Sequence, residues 1–212
     1  MQITAKEIQK LASEFESELT SVRHHIHQNP ELSFEEYETQ AFIKQKLEEI
    51  GLKPKAIGNT GLVCLIEGKK KGKVVALRAD MDALPITEET DIPFKSKKEG
   101  VMHACGHDVH SSCLFGAAKI LNETKNDWNG TVKLIFQPGE EKFPGGASIL
   151  IKEGVLQNPK PDAIIGQHVM PWIPTGAFGF RRGLYMASAD EIFITIKGKG
   201  GHGALPQFCI DP

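Results

Sequence analysis

The middle of the chain alternates between short apolar segments and segments with helical spacing, and this alternation constrains the fold more than any other feature. Residues 74–77 (VVAL) are continuously apolar, as expected for a strand that is buried on both faces. The predicted strands are residues 62–67, 73–79, 131–137 and 162–169, and the helical segments among them are residues 109–124 and 145–154. Strands separated by helices indicate one sheet covered by helices. We therefore predict an α/β fold with a largely parallel sheet flanked by helices.

Two helices are predicted before the first strand. Residues 5–28 place an apolar side chain at every third or fourth position, and Pro30 prevents the helix from continuing. Ser33 and Glu36 have the spacing of a capping box, which predicts that a second helix begins at Ser33 and ends at Gly51. Three histidines lie near the end of the first helix, and we interpret them as surface or helix-end groups: His24, His25 and His27.

The composition excludes several classes of protein. Hydrophobic residues make up 40% of the chain and charged residues 25%, which is enough for a core and argues against general disorder. The net charge of -2 gives no electrostatic reason to expect a nucleic-acid partner. Residues 1–20 are too charged for a signal peptide, and no apolar stretch is long enough to span a membrane. We predict a cytoplasmic protein, in which four cysteines do not form a disulfide framework.

The composition of the chain changes after residue 170, where proline and glycine become frequent. A strand is predicted at residues 190–197 because isoleucines alternate with other residues there. We place the domain boundary so that residues 1–185 belong to an incomplete catalytic domain and residues 186–212 begin a second one. Asp211-Pro212 resembles the start of a helix. We therefore expect a chain cut short, which binds metal weakly and is not a competent enzyme by itself.

Groups that bind metals or move protons cluster at the ends of the predicted elements. They are Asp80 and Asp82, Cys105 and His107, Glu140 and Glu141, and His168. The carboxyl ends of strands in an open α/β sheet form the edge where ligands bind, so we expect these side chains to converge. Thiolate, imidazole and carboxylate ligands together suit Zn, Mn or Co. One of the two adjacent glutamates can bind metal while the other transfers a proton.

Four segments resemble the signature blocks of the hippurate hydrolase, aminoacylase and indole-acetyl-amino-acid hydrolase group, which belongs to the metal-dependent aminoacylase/carboxypeptidase superfamily. In chain order they are residues 77–85 (LRADMDALP), 102–108 (MHACGHD), 136–141 (FQPGEE) and 198–204 (GKGGHGA). The blocks run from residue 77 to residue 204 of the 212-residue sequence. The resemblance implies a zinc-peptidase-like catalytic domain followed by the start of an α+β dimerisation domain.

The resemblance also implies a role for each matching residue. The implied metal ligands are Cys105, His107, Glu141 and His168. Glu140 is the implied general acid/base, Asp82 orients the metal site, and His202 stabilises the oxyanion, often from the partner subunit. The implied cofactor is a divalent metal, with two ions per site drawn from Mn, Zn, Co or Ni. The family usually has a histidine where Gln207 stands, and another metal-binding histidine is expected beyond residue 212.

The predicted activity is metal-dependent hydrolysis of the amide bond of N-acyl amino acids, which releases a carboxylate and a free amino acid. The expected partners are a small-molecule substrate and, in the full-length form, a second copy of the chain, with neither nucleic acid nor membrane. Two alternatives remain open. One is an inactive remnant that only binds metal, and the other is a metallopeptidase that acts on short peptides.

Overall fold

Two helices come before the first strand, as predicted. The computed structural model describes residues 3–188, 190 and 192–212, and its first helix, α1, spans Ala5–Gln28. A capping box begins α1: the Thr4 hydroxyl accepts a hydrogen bond from the Glu7 backbone N–H, and the Glu7 carboxylate accepts one from the Thr4 backbone N–H. The second helix, α2, spans Tyr37–Glu49. The prediction for residues 5–28 is confirmed.

The beginning of α2 differs from its prediction. Glu36 occupies the N-cap position, but its side chain makes no capping hydrogen bond; the Glu31 carboxylate instead accepts hydrogen bonds from the backbone N–H groups of Glu38 and Thr39. The Ser33 hydroxyl donates to the Asp82 carboxylate at 2.7 Å. The buried Glu36 carboxylate accepts hydrogen bonds from the Thr60 hydroxyl and from the Gly139 backbone N–H. The capping box predicted here was wrong because both side chains bind residues that are distant in sequence.

One sheet holds the strands of the described residues. They are β1 (Lys55–Ile57), β2 (Gly61–Glu67), β3 (Val74–Asp80), β4 (Thr131–Gln137) and β5 (Ala163–Gly166). Their order in the sheet is β1-β2-β4-β3-β5, and β3 lies parallel to both β4 and β5. The pairs β1–β2 and β2–β4 are antiparallel. The predicted α/β class is confirmed, and the sheet is mixed, with its parallel pairings centred on β3.

Helices cover both faces of this sheet. Helix α3 (His107–Glu123) lies between β3 and β4 in sequence, and α4 (Gly146–Lys152) follows β4. The larger core joins α1, α2 and α3 to one face of β2 and β4, through side chains such as Ile26, Leu47 and Phe115. The smaller core joins α4 to the other face, through Leu150 and Ile135. None of the helices in the described part of the chain has the length and apolar character needed to cross a membrane.

The parallel pairing of β3 with β4 determines where the chemical groups meet. In this register Asp80 lies opposite Gln137, so the two strands end at the same level of the sheet. The backbone N–H of Met81 then donates to the Gln137 carbonyl at 3.0 Å, which continues the pairing past the end of β3. The segments that follow the two strands, residues 81–82 and 138–141, therefore leave the sheet side by side, next to the beginning of α3.

Residues Pro171–Pro212 form a second unit, distinct from Met1–Met170, and we describe it by itself. Its described residues contain a short 3-10 helix, Pro206–Phe208, and one bridge between Lys199 and Ile210. The strand predicted at 190–197 is wrong for the described residues of that segment, which exclude residue 191: they form no strand, and Ile192 is 82% exposed. An alternating pattern makes a strand only where a neighbouring strand supplies hydrogen bonds. The boundary at 185/186 stays a prediction.

Candidate metal centre

The beginning of α3 brings a thiol and two imidazoles together. Gly106 occupies the N-cap position in the left-handed region (φ 82°), a conformation that glycine adopts without steric cost, and His107 is the first helical residue. The Cys105 Sγ lies 3.2 Å from the His168 Nε2, which reaches the site from beyond the end of β5. Cys105, His107 and His168 each offer a ligand atom, and these atoms lie within 4.8 Å of one another.

The two glutamates that follow β4 approach the same imidazole. The His107 Nε2 lies 3.9 Å from the Glu141 Oε1, and the ligand atoms of His107, Glu140 and Glu141 lie within 4.8 Å of one another. The structure thus brings together all four predicted ligands and the predicted proton-transfer residue, with His107 common to both groups. Both the His107 Nε2 and the Glu141 Oε1 are buried and have no hydrogen-bond partner among the described residues.

Asp82 holds the other side of the His107 ring. Its backbone carbonyl and its Oδ1 lie 2.9 Å and 3.1 Å from the His107 Nδ1, so this nitrogen donates and Nε2 keeps its lone pair. The Asp82 Oδ2 accepts hydrogen bonds from the Ser33 hydroxyl at 2.7 Å and from the Glu141 backbone N–H at 2.9 Å. Burial would raise the pKa of Asp82, but these hydrogen bonds outweigh it and lower the pKa. The carboxylate therefore stays ionised and orients both His107 and the Glu141 segment.

The site concentrates negative charge and electron-pair donors. Burial, together with the nearby carboxylates of Glu141 and Glu140, raises the pKa of the Cys105 thiol to about 12. Partial burial also raises the pKa of Glu140, with the nearby Asp80 and Glu141 adding to the effect. A divalent cation would reverse the penalty on the thiolate, because a coordinated thiol is deprotonated. The unpartnered His107 Nε2 and Glu141 Oε1, the thiol and His168 form a donor set that fits a metal of the zinc type.

One buried histidine next to the predicted ligands, His110, was not identified from the sequence. His110 lies three residues after His107 on the same face of α3, and both rings are buried. Asp80, His107 and His110 offer a further set of ligand atoms within 4.8 Å of one another. The i, i+3 spacing of the two histidines places their side chains on one face of a helix, but the predicted helix began at residue 109 and so did not include His107.

The interpretation of His27 as a surface or helix-end group was wrong. Its Nδ1 lies 2.9 Å from the Asp108 Oδ2, its Nε2 lies 3.2 Å from the Glu88 Oε1, and its ring is buried. Arg23 also donates to the Asp108 Oδ2, at 2.9 Å. This network ties α1 to the first turn of α3, directly after His107. The hydrogen bond with Asp108 raises the pKa of His27 against the effect of burial, and Glu88 adds to the rise.

His202 and Gln207 belong to the second unit. His202 is exposed, and its Nδ1 accepts a hydrogen bond from the Ala204 backbone N–H at 3.1 Å, within a turn that Leu205 closes by donating to the His202 carbonyl. Gln207 is exposed in the short 3-10 helix. The role implied for His202 stays a prediction.

Comparison with curated proteins finds close relatives along nearly the whole chain. The chain is 43% identical to the N-acyl-L-amino acid amidohydrolase of Geobacillus stearothermophilus over 210 residues, which cover 99% of this chain and 56% of that protein. It is 44% identical to the hippurate hydrolase of Campylobacter jejuni over 207 residues, which cover 97% of this chain and 52% of that protein. The chain therefore spans about half the length of these curated relatives.

The fold also matches a solved structure. The match is the YXEP protein of Bacillus subtilis, described as a dinuclear metal binding peptidase from the M20 family. The TM-score is 0.76 at 42% sequence identity, over 81% of this chain and 48% of that one. A family model matches residues 76–205, a range that includes all of the predicted metal ligands, together with Asp82, Glu140 and His202. The chain belongs to peptidase family M20/M25/M40.

Proposed function

We propose that this chain supplies the metal centre of a hydrolase that cleaves the amide bond of N-acyl amino acids, releasing a carboxylate and a free amino acid. The observation that carries the proposal is the meeting of Cys105, His107, His168 and the two glutamates, where the buried His107 Nε2 and Glu141 Oε1 have no hydrogen-bond partner in the described part of the chain. The names of the relatives support the substrate class: one is an N-acyl-L-amino acid amidohydrolase and another a hippurate hydrolase.

In this proposal the metal ligands are Cys105, His107, Glu141 and His168, and they bind two divalent ions of Mn, Zn, Co or Ni. The dinuclear site named for the Bacillus relative supports the count of two. When bound, such ions supply Lewis acidity toward the amide carbonyl and lower the pKa of bound water to about 7. The protein orients its ligands through hydrogen bonds, most directly through Asp82, which leaves the His107 Nε2 free to face the metal position.

Glu140 is the proposed general acid/base. Its side chain shares the space around the His107 Nε2 with Glu141 but is exposed toward solvent, where a substrate and a water molecule can reach it. Its raised pKa suits a group that must accept a proton from water and later donate it to the leaving amine near neutral pH. Glu141 is more buried, and its backbone N–H is held by Asp82, which suits a fixed ligand.

His202 is the proposed stabiliser of the tetrahedral oxyanion, acting across the interface of a homodimer. Glycines flank it on both sides, which allows its backbone to come close to a ligand. Its exposure in the second unit leaves the imidazole available for such a contact. A protonated or hydrogen-bonding imidazole next to the developing negative charge would lower the barrier.

A second candidate function is hydrolysis of short peptides. It is supported by the Bacillus relative, which is described as a peptidase. Both reactions cleave an amide next to a free carboxylate, so the metal centre serves either one. The two are separated by comparing N-acetyl and N-benzoyl amino acids with dipeptides as substrates under the same conditions. Faster cleavage of dipeptides would contradict the proposed substrate class.

The test of the proposed roles compares Glu140→Gln with Glu141→Ala. Metal content is measured on residues 1–212. Turnover is measured on a chimera in which these residues replace the matching part of the Geobacillus amidohydrolase, because the chain covers 56% of that relative. We expect Glu140→Gln to retain metal and to lower kcat by about 10²–10⁴-fold, the usual contribution of general acid–base catalysis. We expect Glu141→Ala to lower metal content as well.

Equal loss of metal in both variants would show that the two glutamates do not have separate roles. The unmodified Geobacillus enzyme is the positive control for the assay. A chimera that folds and binds metal but cleaves neither substrate class would support the alternative that these residues only bind metal.

A further inference from the structure

His110 has a polar contact on each side of its ring, although it lies outside the proposed ligand set. Its Nε2 accepts a hydrogen bond from the Val169 backbone N–H at 3.3 Å, and its Nδ1 lies 3.5 Å from the Asp80 Oδ2. The ring also meets the His168 ring edge to face, with 4.5 Å between centroids and 80° between planes. His110 is thus a buried bridge between the end of β3 and the residue that follows His168.

The direction of the hydrogen bond with Val169 shows which nitrogen carries the proton. A neutral imidazole has one nitrogen with a free lone pair, and in His110 this is Nε2 because it accepts from a backbone N–H. The Nδ1 therefore carries the hydrogen, and it lies 3.5 Å from the Asp80 carboxylate without forming a hydrogen bond to it; Asp80 also contacts the Arg78 guanidinium. In this arrangement neither nitrogen offers a free lone pair to an ion, because Nδ1 bears the proton and the Nε2 lone pair accepts from Val169, so His110 is arranged to hold other groups in place.

The segment that carries His168 depends on a few contacts for its position. Residues 163–169 are all exposed, and β5 ends at Gly166, before the ligand. Val169 nevertheless lies close against the beginning of α3: a Cβ added at Gly106 would come within 2.4 Å of its side chain. The Val169 side chain thus lies against Gly106, and its backbone N–H donates a hydrogen bond to His110. Since Val169 follows His168 directly, the bond also limits where the His168 ring can lie.

We propose that His110 is a positioning residue, which holds the Val169 backbone against α3 and thereby places the His168 Nε2 beside the Cys105 Sγ. This inference rests on the proposed function, because it concerns the placement of a proposed ligand. Groups that orient metal ligands typically change metal affinity by about 10–100-fold when they are removed. A contact of this kind matters most for a ligand on an exposed segment, which has little other packing to hold it.

The test uses three substitutions at this position and one elsewhere. His110→Phe keeps the volume of the ring and removes both polar contacts. His110→Gln keeps an acceptor near the position of Nε2, whereas His110→Asn is too short to reach Val169 and keeps only the contact on the Asp80 side. His25→Phe is the matched control: it is the same change at an exposed histidine of α1 that stacks on Phe42.

Metal affinity is the first measurement. We titrate the 212-residue protein with Co²⁺ and follow the thiolate-to-cobalt absorption that reports on Cys105. We expect His110→Phe and His110→Asn to weaken binding by about 10–100-fold. His110→Gln should stay within about threefold of wild type, because an amide oxygen accepts the same backbone hydrogen bond. His25→Phe should bind cobalt as wild type does.

Hydrogen exchange of the Val169 amide in the metal-free protein is the second measurement, and it does not depend on metal. We expect His110→Phe and His110→Asn to accelerate this exchange by about fivefold, the effect of one lost hydrogen bond. His110→Gln should restore most of the protection. If His110→Phe does not fold, the comparison of His110→Asn with His110→Gln still decides the question.

Two results would overturn the inference. One is unchanged exchange of the Val169 amide in His110→Asn, which would show that the hydrogen bond does not hold this segment. The other is loss of one whole metal equivalent in both His110→Asn and His110→Gln, which would make His110 a ligand. If the wild-type protein binds no metal, the proposed metal centre fails, while the exchange measurement still tests the contact between His110 and Val169.

Discussion

The two sides of the candidate metal centre are built differently. On the buried side, the side chains of His107 and Asp82 are almost completely inaccessible to solvent. The Asp82 carboxylate binds Ser33 from the segment before α2, His107 from α3, and the backbone N–H of Glu141 from the turn after β4. On the open side, Cys105 and His168 contact each other at 3.2 Å, and His168 lies on an exposed segment. One side is fixed by the core, and the other is held by few contacts.

This difference indicates how such a site can bind a metal without a rigid cage. The buried side presents the His107 Nε2 in one orientation before any ion arrives, which reduces the entropy lost on binding. The open side has fewer contacts of its own, so a bound ion would contribute a larger share of what holds Cys105 and His168 in place. We therefore expect substitutions on the buried side to affect folding as well as metal binding, and substitutions on the open side to affect metal binding alone.

The largest effect is expected for Asp82→Ala. The substitution leaves the Ser33 hydroxyl and the Glu141 N–H without their acceptor, and it leaves the His107 Nδ1 with only the backbone carbonyl of residue 82. Each buried group that loses its partner costs about 1–3 kcal/mol, so the free energy of unfolding of the metal-free protein should fall by about 3–4 kcal/mol. Urea denaturation with EDTA present measures this change.

Cys105→Ser is the matched variant on the open side. It should leave the metal-free stability within about 0.5 kcal/mol of wild type, as for most substitutions outside the core, and should weaken metal binding. Similar stability losses in Asp82→Ala and Cys105→Ser would show that the two sides do not differ in the way described here.

The second largest effect is expected at His27, whose ring nitrogens contact the carboxylates of Asp108 and Glu88 next to the buried side of the site. The pKa of His27 is raised, so the imidazolium stabilises the folded state fully below about pH 6.5, its unfolded value. This stabilisation is lost as the pH rises through the higher folded pKa. His27→Gln should therefore lower the free energy of unfolding by about 2 kcal/mol at pH 5.5, the usual value of hydrogen bonds to charged groups. The difference from wild type should shrink toward pH 9.

Denaturation of the wild-type and His27→Gln proteins between pH 5.5 and pH 9 measures the contribution of His27 to the free energy of unfolding, because the other titrating groups are common to both. His25→Gln is the control, since His25 lies on the surface of the same helix. A difference that stays constant between pH 5.5 and pH 9 would mean that His27 does not act as a cation between the two carboxylates.

The smallest effect is expected for Ser33→Ala. It removes one donor to the Asp82 Oδ2 and leaves the bonds from His107 and from the Glu141 backbone in place. One neutral donor contributes about 1 kcal/mol, so the stability loss should be roughly a third of that for Asp82→Ala. A loss as large as that of Asp82→Ala would show that the network fails as a unit and not contact by contact.

Local patterns predicted most elements of the fold. The strand at 131–137 and the helix at 5–28 were predicted with the bounds that the structure has, because their apolar periodicity spans several turns or residues. The positions of the acidic and imidazole groups at the ends of predicted elements also placed the proposed ligands at one edge of the sheet. The short β1 was missed, since three residues carry too little pattern. The strand predicted at 190–197 is absent from the described residues of that segment. Alternation of apolar residues does not show whether a neighbouring strand is available to pair with it.

The sequence by itself determined the periodic elements and the residue types at the ends of the strands, since both are local properties of the chain. Only the tertiary structure decided that β4 lies between β2 and β3, that Ser33 and Glu36 turn away from α2, and that His27 and His110 are buried. The physical reason is that a polar side chain binds the strongest partner within reach, and that partner is brought near by pairing and packing between segments far apart in sequence.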